Sequence, residues 1–219
     1  MKKLFLSIFA AGMLAAVASA QVQPVAFIHA RIIPITGPVI EDGVIVVQNG
    51  KIIAVGDAKT TPVVMTTNII DAKGKTIMPG LVDTHSHIGE GSGADGSSPI
   101  QPDVRLLDGL NVRSSSIQRA QSGGITTVNV MPGSGHLDSG QTLYIKLRDD
   151  AVKVDDLLIY DATGKYMGGI KFANGTNPIR PGGGNFPGTR AKSAALVRDQ
   201  FIKAQDYRDK IKKAAGDAT

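Results

Sequence analysis

The 219-residue sequence contains no cysteine and no tryptophan. Without thiols there is no disulfide framework, no zinc ribbon and no cysteine nucleophile, whatever the redox state of the compartment. Aromatic residues make up only 5% of the chain, too few for a ladder of rings on which bases stack. Glutamate occurs only at Glu41 and Glu90, so aspartate, histidine, lysine and hydroxyls are left to carry chemistry. The longest apolar run, Leu4 to Val17, is shorter than the ~20 residues that span a bilayer. What remains is ordinary for a globular chain, 42% apolar and 20% charged, and it excludes disorder, collagen and a polytopic membrane protein. One or two small domains fit this length.

The formal charge of +5 is unevenly placed. Lys2 and Lys3 contribute two charges, and from Arg190 to Lys213 eight basic residues face Asp199, Asp206 and Asp209. The rest of the chain is close to neutral. A single basic helix without aromatic neighbours reads as a solvated face, so no nucleic-acid partner is expected.

Residues 1–20 have the layout of a secretory signal. Lys2 and Lys3 precede the apolar run, and Ala18-Ser19-Ala20 supplies small residues for cleavage before Gln21. The expectation is a periplasmic or secreted protein without a stable membrane span.

From residue 25 to 57 the pattern is β. Val25 to Ile33 is β-rich, and Asn49-Gly50 separates the β-branched runs of Gly43 to Gly56. That pair tolerates the positive φ of a tight hairpin. A further strand pair is expected over Asn68 to Ile77, turning near Lys73-Gly74. Beyond it, Met78 to Ile88 begins with a Pro-Gly breaker and continues as a short, mainly buried strand. A Gly/Ser-rich loop follows, then a helical stretch from about Val104 to Gln121 ended by Gly123-Gly124, then the strand Ile125 to Met131. Strand, loop, helix and strand in about fifty residues make a βαβ unit, which favours parallel pairing. Thr142 to Leu147 and Leu157 to Tyr160 are further short strand-like runs. Val197, Phe201, Ala204, Tyr207 and Ile211 recur at helical spacing near the end.

Chemistry concentrates in Asp83-Thr84-His85-Ser86-His87. Alternation on a strand puts Asp83, His85 and His87 on one side. Two imidazoles at i and i+2 can reach one divalent ion, and an open coordination position would activate water near neutral pH. A bare H-x-H is also compatible with two surface histidines of a β-ribbon. The apolar approach and glycine-rich exit loop favour the ligand reading. The run Pro181 to Arg190 lacks a Gly-Lys-Ser/Thr ending, and no G-x-S-x-G elbow exists, so neither a phosphate cradle nor a serine hydrolase is expected.

Lys75 to His87, preceded by the hairpin Asp42 to Gly56, resembles the opening of the metal-dependent amidohydrolase superfamily, particularly its imidazolonepropionase-like members. Ile125-Thr-Thr-Val, Pro132-Gly-Ser-Gly, Gly140-Gln-Thr-Leu and Thr189-Arg190 extend the resemblance over nearly all of the chain after residue 20. The resemblance implies an α/β fold: a TIM-type (β/α)8 barrel preceded by a small β-sandwich. It further implies one or two divalent metals, usually zinc, with His85 and His87 matching the first two ligands. In such enzymes a metal-bound hydroxide attacks an amide, a cyclic amide or a related centre of a small-molecule substrate. Asp83 is then either a group that orients a ligand or a strand-end cap.

An eight-unit barrel takes about 250 residues, whereas Pro79 to Thr219 supplies 141. The expected domains are therefore a signal at 1–20, part of a β-sandwich at 21–78 and a truncated barrel of about three strands at 79–219, with the acid/base group beyond the chain end. Raw strand edges would make self-association the expected remedy. Lys171, in Gly168 to Phe172, resembles the strand lysine that some members carbamylate to bridge two metals, or else snorkels. His136 lies either near the substrate or in a solvated loop, the latter favoured. Glu90 reads as a loop residue, although a general base there is chemically reasonable. The rival readings are a non-catalytic exported module that binds metal or a partner, and an inactive structural remnant.

Overall fold

The computed structural model describes residues 23–63, 68–89 and 95–216. The expected signal segment and Glu90 lie outside them. Two compact units are present, Met1–Pro79 and Gly80–Thr219.

The first unit is built on β1 (Val25–Ile32). β2 (Ile40–Gln48) pairs antiparallel to it, and β3 (Lys51–Asp57) pairs antiparallel to β2. Asn49 and Gly50 close that hairpin with φ of 51° and 71°, the left-handed pair that matches strand twist. β4 (Asn68–Asp71) and β5 (Thr76–Ile77) flank the turn at Gly74, as the sequence suggested. They do not form a hairpin with one another, however: each pairs in parallel with β1. The described residues of this unit thus form one five-stranded sheet. Its buried residues include Ala26, Ala30, Ile32, Val44, Ile45, Val46 and Ala72.

The second unit holds the histidines. β6 (Leu81–Ser86) and β7 (Ile125–Val130) are parallel, joined through a 3₁₀ turn at Leu106–Asp108 and α1 (Ser115–Ser122). The expected continuous helix from 104 to 121 is therefore two short pieces. Gly109 closes the first, its N–H donating to Leu106 O at 3.1 Å. The Asn111 side chain then takes the Arg113 N–H at 3.0 Å, a turn contact that competes with helix. Ser114 caps α1 with a non-helical backbone.

After β7 the parallel pattern stops. β8 (Asp138–Lys146) runs antiparallel to β7, and β9 (Gly168–Phe172) antiparallel to β8. The connection at residues 131–137 is too short for the crossover of a dozen or more residues that a parallel return needs. The sheet, ordered β6-β7-β8-β9, is consequently mixed. Val128, Val130, Leu143, Ile145 and Leu157 form its core with Ile117 and Leu110. β6 lies at the end of that order, and Leu81 and Val82 are 52% and 60% exposed instead of buried. α2 (Arg190–Gly216) is helical as its periodicity predicts, yet it buries none of its residues. Its apolar face touches the sheet where Phe201 stacks on Phe172, ring centroids 6.0 Å apart.

Candidate metal centre

Parallel pairing with β7 sets the end of β6. The Met131 N–H donates to Ser86 O at 2.9 Å, with the Ser86 side chain buried. Alternation then turns His85 and His87 to the other side. Their ring centroids are 5.4 Å apart and the planes are nearly perpendicular at 89°.

Each histidine is held differently. His87 donates from Nδ1 to the Met131 carbonyl at 2.7 Å. A carbonyl only accepts, so Nδ1 carries a proton, and in the neutral ring the lone pair is on Nε2. This is the arrangement in which metal-ligating imidazoles are commonly oriented. Asp83 acts on the backbone: its Oδ1 accepts the N–H of His85 at 3.1 Å. It fixes the local backbone that presents the ring.

β9 brings the third group. Lys171 Nζ lies 3.3 Å from His85 Nε2 and 3.5 Å from Met131 Sδ. Only 9% of Lys171 is exposed, and desolvation pushes its ammonium below the ordinary lysine range. A lysine that gives up its proton more easily becomes a nitrogen donor or a nucleophile toward carbon dioxide.

No group of three or more His, Cys, Asp or Glu side chains suited to a metal occurs among the described residues. The donors at hand are two imidazoles and one amine, nitrogen ligands of the kind that suit zinc. The free Nε2 of His87 fits a cation directly. Three protein ligands, the usual number for catalytic zinc, are reached only with Lys171.

His136 stands apart from this group. It is buried, not solvated, at 3% exposure. Among the described residues, neither of its ring nitrogens has a hydrogen-bond partner. Its ring packs 5.3 Å from that of Phe186, over which the Arg180 guanidinium lies at 4.0 Å. Burial first, then the Arg180 charge, lower its pKa, against an opposing pull from Asp95. One feature of the site had no sequence signal, the Met131 carbonyl that holds His87; Lys171, singled out in the sequence by resemblance, reaches His85 across 86 positions of chain.

No protein-family model matches the chain. A curated relative, the amidohydrolase tasK of Hapsidospora irregularis, is 32% identical over 181 residues, covering 74% of this chain and 18% of its own length. The imidazolonepropionase of Bacillus cereus is 45% identical over 53 residues, covering 24% of this chain and 12% of its own. The crystal structure of an amidohydrolase from Thermotoga maritima superposes with a TM-score of 0.73 at 34% identity, over 85% of this chain and 49% of that one. With the paired histidines at the end of a parallel strand, these similarities place the chain in the amidohydrolase superfamily. It spans under a quarter of the length of those two curated relatives and about half of that solved chain.

Proposed function

We propose that this chain carries the opening part of a metal-dependent hydrolase that cleaves C–N bonds other than ordinary peptide bonds, such as amides, cyclic amides or dipeptides. The observation that supports it most is the convergence of His85, His87 and Lys171 from β6 and β9, with His87 locked so that Nε2 is free. His85 and His87 would hold one or two divalent ions, zinc by ligand type. Held there, such an ion would supply Lewis-acid polarisation of the scissile carbonyl and activation of water near neutral pH. Lys171, carbamylated or as a free amine, would complete the ligand set, and the Met131 carbonyl and the Asp83 carboxylate would hold the two histidines in place. The finer reading of the fold is the first part of a TIM-type barrel with a β-sandwich before it. The alternation of β6, α1 and parallel β7 supports that reading. Export through residues 1–20 belongs to the same proposal.

Hydrolysis by the zinc-supplemented chain tests it, with small cyclic amides and dipeptides as substrates. Turnover that disappears in His85→Ala and His87→Ala variants is expected. Turnover unchanged in both would overturn the assignment. Stoichiometric metal without turnover would favour the non-catalytic metal-binding module instead.

A further inference from the structure

On β9 side chains alternate, so the face opposite Lys171 presents Ile170 and Phe172. Together with α2 they wall a crevice of about 360 Å³, to which Asp138, Phe201, Ala204 and Tyr207 also contribute. Its walls are almost wholly apolar. Phe172 and Phe201 lie nearly parallel, 21° between planes. The polar residues of its lining are Gln200, Lys203 and Asp138, the last a carboxylate only 4% exposed.

That carboxylate has one described partner, the Gly140 N–H at 3.0 Å on Oδ1, and takes part in none of the described ion pairs. Lys203, which also lines the crevice, is paired with Asp199 at 2.6 Å. Asp103 adds a second negative charge that Asp138 feels. Burial, with that neighbour, raises the Asp138 pKa, although the Gly140 bond opposes the rise. A buried anion without a counter-charge is costly unless something positive reaches it. Aromatic faces beside it add attraction for the same kind of group.

We infer that this crevice is a binding site for a small organic ammonium compound, its charged head on Asp138 and its apolar or aromatic body between Phe172, Phe201 and Tyr207. The site lies on the other face of β9 from the histidine pair and is independent of the hydrolytic reading.

Titration of the full chain with phenethylammonium, followed through the NMR signals of Phe201 and Tyr207, tests it. Those signals are expected to shift at millimolar ligand, and 3-phenylpropionate, similar in shape but anionic, is expected to leave them in place. Asp138→Asn should weaken binding by about tenfold or more, the usual weight of a charge-assisted hydrogen bond. Equal affinity of the Asn variant, equal binding of the phenylpropionate, or no shift in the wild type would each overturn the inference. If Asp138→Asn does not fold, Phe201→Ala, a change at a 57% exposed helix position, serves in its place. Full affinity in that variant would overturn the inference equally.

Discussion

The imidazole of His87 and the carbonyl of Met131, one residue past the ends of two parallel strands, are joined by a 2.7 Å hydrogen bond. The bond fixes which nitrogen carries the proton. In ¹⁵N spectra of the metal-free chain, His87 is expected as the Nδ1–H tautomer with an unprotonated Nε2. An Nε2–H tautomer would contradict the bond.

Lys171 contributes an amine to a site where burial disfavours its charge. Replacing it with methionine should leave stability equal or higher, by up to about 2 kcal/mol, since a buried cation without a carboxylate is replaced by an apolar chain of similar length. Hydrolysis should nonetheless fall by about 100-fold or more. Denaturant midpoints measured beside turnover separate the two effects.

His136 ties stability to pH. Its folded pKa lies below the unfolded value of 6.5, so the unfolded chain binds more protons in the interval between the two. Its stabilising effect is complete above 6.5 and is lost as pH falls through that value toward the folded pKa. Urea unfolding between about pH 5 and about pH 7.5 should show this decline, flattened in His136→Phe. A decline of equal size in that variant would assign it to other groups.

Gly140 lies opposite Lys171 in the β8–β9 ladder with φ of +103°, and a Cβ there would strike the Val104 carbonyl. Alanine at this position should destabilise the second unit by about 1–3 kcal/mol from backbone strain alone, read as a lower urea midpoint.

Much of this was legible locally. Asn49-Gly50 marks its hairpin because few other residue pairs adopt two successive positive φ angles. The β6–β7 unit follows from the strand and helix periods on either side of it, and the His85/His87 pairing follows from a two-residue repeat. Sequence pattern and structure part where short-range pattern meets long-range geometry. The sequence over 104–121 predicts one helical stretch, but Gly109 and Asn111 divide it. The short connection at 131–137 reversed β8, and that reversal carries Lys171 to His85. Burial of His136 was likewise unreadable, since it depends on Phe186 and Arg180 from a loop some fifty residues later.

Metal uptake is the most direct measure of the histidine pair. Equilibrium dialysis of the purified chain against zinc, with elemental analysis, should give one or two bound ions, and a variant carrying both His85→Ala and His87→Ala should bind none. Zinc retained by that double variant at the wild-type ratio, or no zinc bound by the wild type, would contradict the account.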